Sequence, residues 1–94
     1  MGLNADIVDA FEEMAILLEI TGANGFKVNA HAKVARVVEG LGRELDDIAR
    51  GPDASNQLAA IDGVGASSVK KIVELATTGS IADLETLRAE VPPG

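Results

Sequence analysis

The 94-residue chain is predicted to fold as an all-α domain, a small bundle of five or six short helices. Three observations support this fold class. Apolar residues recur at three- and four-residue spacing in several segments, no segment alternates apolar and polar residues as a strand would, and glycine or proline follows most of the periodic runs. The length suits one domain with one modest core.

The first helix is predicted over residues 5–20, where apolar residues share one helical face. Asn4 is the expected N-cap. The helix should end at Thr21-Gly22, because glycine adopts the left-handed conformation that follows many helices.

The second helix is predicted from about Phe26 to about Gly40, after a turn at Asn24-Gly25. Its apolar face is expected to comprise Ala30, Val34, Val37, Val38 and Leu41. His31 falls at the edge of this face, where a histidine is more often a packing or surface residue than a catalyst.

Further helices are predicted at Glu44 to Ala49, residues 56–60 and residues 66–77, with Gly79 beyond the end of the last. The segment Ser80 to Asp83 has the spacing of a capping box and should start a final helix through about Glu90. Residues 91–94 are expected to be extended, since two prolines cannot continue a helix.

Composition excludes several classes of site. The chain has no cysteine and a single histidine, which excludes disulfides, thiolate metal sites and zinc sites built on paired histidines. Phe11 and Phe26 are the only aromatic residues, so a base-stacking platform is not expected. Neither a membrane span nor a signal peptide is indicated, and we expect a cytoplasmic protein.

The net charge of −7 argues against nucleic-acid binding until the charges are located along the chain. Residues 21–36 carry Lys27, Lys33 and Arg36 without any acid, and residues 63–73 carry only Lys70 and Lys71. The remaining segments are acidic. Binding to DNA therefore stays possible as a local property of two basic windows.

The segment from Leu58 to Val73 contains a Gly-Val-Gly turn, Gly63 to Gly65, between two predicted helices. A dinucleotide fingerprint would need a third glycine and a P-loop would need Gly-Lys-Ser/Thr, and both are absent. Glycines let the backbone turn tightly and let a ligand approach it, and the N–H groups that open the next helix attract an anion. Val64 should point inward, and Lys70 and Lys71 should lie on the face away from the core.

This segment closely resembles the helix-hairpin-helix motif, with Val69 where alanine is usual. The alternative is a helical corner whose glycines serve packing alone. A second stretch, Gly25 to Arg36, resembles a segment in the small N-terminal lyase-type domain of family X DNA polymerases, in particular their bacterial branch. The resemblance implies one domain over residues 1–94, a hairpin at about 56–77, and a linker at 91–94 leading into polymerase domains.

The resemblance also implies site residues. The N–H groups of Gly63, Val64 and Gly65 would meet DNA phosphates, with further contacts from Ser67, Lys70, Lys71, Lys27 and His31. No cofactor is required, although the carbonyls of Ala59, Ile61 and Val64 would hold K⁺ or Na⁺.

Lys71 also matches the Schiff-base lysine of the lyase relatives. Ala59 and Ser67, however, stand where those relatives carry basic residues, and Phe26 replaces a histidine. A Schiff-base lysine must lose its proton to attack, and neighbouring cations help by lowering the pKa of the amine. The absence of these three residues therefore argues against lyase activity.

The leading hypothesis is a sequence-independent DNA-binding module that grips phosphates at gaps or nicks during DNA repair, including base excision repair. The alternatives are a helical protein-interaction domain that uses its acidic first helix, and an autonomous 5′-deoxyribose-phosphate lyase acting through Lys71. Nucleotidyl transfer is excluded for this chain, because no Asp-x-Asp arrangement for metal ions occurs.

Overall fold

The computed structural model describes residues 2–91, which form six helices and no strand. The helices are α1 (Leu3–Ile20), α2 (Gly25–Glu39), α3 (Asp46–Arg50), α4 (Ala54–Ala59), α5 (Ala66–Thr78) and α6 (Ala82–Glu90). The predicted all-α bundle is confirmed. Residues 92–94, most of the predicted linker, lie outside the described residues.

One hydrophobic core joins all six helices. The long helices α1 and α2 pack along each other, while α3, α4 and α5 contact one another and α6 packs against α1. The largest side chains that are fully buried are Phe11, Ile7, Met14, Leu45, Leu58, Ile72, Ile81, Val34 and Val38. The hairpin helices α4 and α5 are therefore anchored to the rest of the domain through its core.

The start of α1 differs from the prediction. Gly2, not Asn4, is the N-cap, and Asn4 lies inside the helix. Its side chain instead donates a hydrogen bond to the Arg43 carbonyl and accepts one from the Leu45 N–H at 2.8 Å. Asn4 thus ties the first helix to the segment before α3. The predicted end is confirmed, with Thr21 as C-cap and Gly22 at a φ of +85°.

The buried face of α2 is rotated from the predicted one. Ala30 is exposed, and the neighbouring His31 is buried instead, with its ring centroid 5.8 Å from that of Phe11. The predicted turn at Asn24 is the N-cap of this helix, because the Asn24 side chain accepts a hydrogen bond from the Lys27 N–H at 2.9 Å.

The start of α6 does not use the predicted capping box. Ile81 is its N-cap and no side chain of that residue or of Ser80 caps it. The carboxylate of Glu74 on α5 accepts a hydrogen bond from the Ala82 N–H at 2.8 Å and fills this role from outside the helix. Among residues 2–91, no helix combines the length and apolar character needed to cross a membrane.

Candidate nucleic-acid interface

The predicted hairpin is formed by α4, the turn from Ala60 to Gly65, and α5. Val64 is buried between the two glycines, as predicted, and Ile61 is buried at the end of α4. The Val64 N–H donates to the Ile61 carbonyl at 3.1 Å and closes the turn. This N–H is therefore already paired, contrary to the expectation that it meets a DNA phosphate. Both apolar side chains hold the turn on the core, so its outer edge keeps one position relative to the bundle.

The two glycines have different roles, which the sequence did not separate. Gly63 has a φ of +95°, and a Cβ placed there would lie 2.9 Å from Val37 Cγ2 and 3.2 Å from Lys33 Cε. Glycine is therefore required at position 63 both by backbone conformation and by the close approach of α2.

Gly65 has a φ of −85° and is the N-cap of α5, with nothing within 4 Å of where its Cβ would lie. Since glycine has no side chain, the N–H groups of the first turn of this 13-residue helix receive no cap from it. A missing side chain in open space leaves the backbone accessible, so Gly65 suits contact with an anionic ligand rather than packing.

Two exposed lysines flank this turn. Lys70 projects from α5, as predicted, and the stem of Lys33 from α2 covers Gly63. Lys33 was not among the predicted site residues, although its place in an acid-free window was a signal. The two basic windows, separate in sequence, are thus neighbours at the hairpin.

A second group of predicted residues lines a cavity of about 230 Å³ beside the hairpin, which we call the lysine cavity. Lys27 and His31 from α2 and Lys71 from α5 meet there, and α6 adds Asp83 and Glu90. The two acids were not predicted, because they lie in sequence beyond both basic windows and reach the cavity only through the fold.

Lys71 does not project freely as Lys70 does, so the prediction that both lysines lie on the face away from the core is wrong for Lys71. Its side chain is only 12% exposed. The ammonium donates a hydrogen bond to Ser67 Oγ at 2.8 Å and lies 3.5 Å from Asp83 Oδ2. The Lys71 ammonium, which was expected to contact DNA, therefore already contacts Ser67 and Asp83.

His31 is held in one orientation by the backbone. Its Nδ1 lies 2.8 Å from the Lys27 carbonyl, and since a carbonyl only accepts, Nδ1 carries the proton in the neutral ring. Burial lowers the pKa of His31, and the charges of Lys71 and Lys27 lower it further against the opposing backbone hydrogen bond and Asp83. At neutral pH the ring is uncharged, so His31 adds no positive charge to the cavity.

The predicted cation ligands lie around the same turn. Ala59 is the last residue of α4, and Ile61 and Val64 follow in the turn. Within residues 2–91, no backbone N–H of a turn or cap bonds to the carbonyls of Ala59 or Val64, whereas the Ile61 carbonyl already accepts the Val64 N–H. Neutral carbonyl oxygens suit a monovalent cation, and the cation site stays a prediction.

Comparison with known proteins places the hairpin in a known family. The family model for a helix-hairpin-helix domain matches residues 2–81. The chain belongs to the helix-hairpin-helix domain family. It is also 32% identical, over 89 residues and 95% of its length, to the N-terminal region of a Bacillus subtilis protein named DNA polymerase/3′-5′ exonuclease PolX. The chain spans about 14% of the length of that curated relative.

Membership of this family and the likeness to a family X polymerase confirm the resemblance inferred from residues 25–36 and 58–73. They support DNA binding by the hairpin domain. The individual contacts predicted for Gly63, Gly65, Lys70 and the cavity residues stay predictions.

Proposed function

We propose that this helix-hairpin-helix domain binds the phosphate backbone of gapped or nicked DNA without sequence preference. It would act within a longer, cytoplasmic family X DNA polymerase that serves DNA repair, including base excision repair. The observation that carries the proposal is the open backbone at Gly65, which heads α5. It lies two residues after Gly63, which the Lys33 stem covers, and five residues before the exposed Lys70.

The electrostatics favour a phosphate at this point. The first N–H groups of a helix have no partner within it and carry the positive end of its dipole, and no side chain caps α5. Lys33 adds a cation at the neighbouring Gly63, and Lys70 adds an exposed one further along α5. Such contacts position a protein on DNA but carry no sequence information. The net charge of −7 opposes binding elsewhere on the surface, so the isolated domain should bind weakly and only at low salt.

The turn would also bind a monovalent cation through the carbonyls of Ala59, Ile61 and Val64. An ion there would offset phosphate charge next to Asp62, which is exposed within the turn. Lys27 and Ser67 would supply further contacts at the edge of the cavity.

Fluorescence anisotropy with a gapped duplex that carries a 5′-phosphate tests the proposal. Binding should weaken steeply with salt, and Lys70→Ala should reduce the slope of log K against log salt by about 0.9, the value for one phosphate contact. Arg43→Ala is the matched control, because Arg43 is an exposed cation that lines a different cavity. No binding at low salt, or equal losses in both variants, would contradict the proposal.

Gly65→Val tests the turn itself. The substitution adds bulk where nothing lies within 4 Å, so the domain should fold while the phosphate is kept from the backbone. DNA affinity should fall at least as much as in Lys70→Ala. Unchanged affinity in a folded Gly65→Val variant would show that the hairpin backbone is not the contact.

Lyase activity finds less support. The Lys71 Nζ that would form the Schiff base is already engaged, by a hydrogen bond to Ser67 and by Asp83 at 3.5 Å. We expect borohydride reduction on an incised abasic site to trap no adduct that depends on Lys71. An adduct that Lys71→Gln abolishes would establish the lyase instead.

A further inference from the structure

The contact between Lys71 and Asp83 joins α5 to α6. These helices are also joined by the hydrogen bond between Glu74 and the Ala82 N–H. Lys71 Nζ lies 3.5 Å from Asp83 Oδ2, and the lysine is nearly buried while Asp83 is 70% exposed. The pair therefore joins a nearly buried ammonium to a carboxylate that solvent reaches. Both side chains line the cavity that a ligand of Lys71 would enter.

Asp83 lies in the first turn of α6, where a carboxylate favours the helix dipole, but it does not cap the helix. The first N–H of α6 is satisfied by Glu74, and Ile81 rather than Asp83 is the N-cap. Its only ion pair among the described residues is the one with Lys71. Because the side chain is largely in water, it can rotate away from the lysine without exposing core surface.

A phosphate and the Asp83 carboxylate would bind the same ammonium and would repel each other. The carboxylate is held only by an ion pair at 3.5 Å, without a hydrogen bond from Nζ, so a phosphate that approaches the ammonium competes with it. Lys71 also keeps its hydrogen bond to Ser67 at 2.8 Å, which holds the ammonium in place whichever anion is present.

We propose that Asp83 is an intramolecular competitor of DNA phosphate for Lys71, which lowers the affinity of the domain and restricts Lys71 to ligands that displace the carboxylate. This inference rests on the proposed function. It assigns Lys70 and Lys33 to the first encounter with DNA and Lys71 to a contact made only after Asp83 moves.

The test compares Asp83→Asn with the wild-type domain in the gapped-DNA anisotropy assay. The asparagine keeps the shape of the side chain and removes its charge. Affinity should rise about two- to five-fold, the range expected for losing one exposed ion pair. The slope of log K against log salt should steepen by about 0.9, because Lys71 becomes free to neutralise a phosphate.

Two controls separate competition from other effects. Asp9→Asn removes the same charge from an exposed position on α1, outside the lysine cavity, and should leave affinity nearly unchanged. In a Lys71→Gln background, Asp83→Asn should give no gain, since no ammonium remains to be released. Circular dichroism verifies that each variant is folded.

The outcomes are distinct. If wild type binds and Asp83→Asn binds equally, or if Asp9→Asn gives the same gain, the competitor is refuted and DNA binding stands. A gain that persists without Lys71 also refutes it, because the carboxylate would then act by general repulsion. If neither wild type nor Asp83→Asn binds at about 20 mM salt, the proposed function fails and this inference fails with it.

Discussion

Gly63 is the position at which a single added methyl group should cost the fold most. In Gly63→Ala the new Cβ would lie 2.9 Å from Val37 Cγ2 and 3.2 Å from Lys33 Cε. The lysine stem can shift, but Val37 is half-buried in the packing of α2. The backbone at a φ of +95° is also unfavourable for any residue with a Cβ.

The magnitude follows from these two effects. A left-handed conformation costs a non-glycine residue ~1–2 kcal/mol. Crowding an extra methyl group into packed surroundings costs ~1–3 kcal/mol. Reduced entropy of the unfolded chain returns ~0.4–1 kcal/mol. The free energy of unfolding should therefore fall by ~1–4.6 kcal/mol, which is a substantial part of the ~5–14 kcal/mol expected for a domain of this length.

Urea and thermal denaturation followed by far-ultraviolet circular dichroism measure this loss. The melting temperature should fall by roughly 4–8 °C for each kcal/mol lost. Gly65→Ser is the matched control, because that position is extended, open and an N-cap, where serine is favourable. Its stability should equal or slightly exceed that of wild type. Equal stability of Gly63→Ala and Gly65→Ser would refute the argument that the two glycines have different roles.

Three further predictions concern the rest of the domain. Because the pKa of His31 is lowered, the unfolded chain binds the proton more readily, so stability should fall below about pH 6.5 and His31→Phe should flatten this dependence between pH 5 and 6.5 in urea titrations. Glu74→Ala should lose ~0.5–2 kcal/mol by removing the acceptor for Ala82 N–H, while Glu74→Gln should lose less. The Arg88 guanidinium donates two 2.7 Å hydrogen bonds to Glu13 and lowers its pKa, so Glu13→Gln should reduce the melting temperature at pH 7, and this difference should vanish as the pH falls through the lowered pKa.

Periodicity and glycine placement predicted most of the architecture. The spacing of apolar residues located the long helices, and Gly22 and Gly79 end α1 and α5 in left-handed conformations as expected. The inward direction of Val64 was also predictable, because a lone apolar residue between two glycines has only the core to bury it. These features depend on residues that are neighbours in sequence.

The features that were missed depend on residues that are far apart. Asn4 bonds to residues about 40 positions away, and Glu74 caps a helix that starts eight residues later. Asp83 lies outside both acid-free windows, yet it reaches Lys71. A count of charges along the chain therefore overestimated the positive charge of the site. Helix packing places Asp83 and Glu90 of α6 in the same cavity as Lys27 and Lys71.

The burial of His31 has a practical consequence for studying this domain. It is the only histidine in the chain, and its ring lies in the wall of the lysine cavity and near the ring of Phe11. Its proton resonances should thus be a single, readily recognised pair in an NMR spectrum, displaced by the ring current of Phe11. One unlabelled sample would report both the entry of a ligand beside Lys71 and the integrity of the contact between α1 and α2.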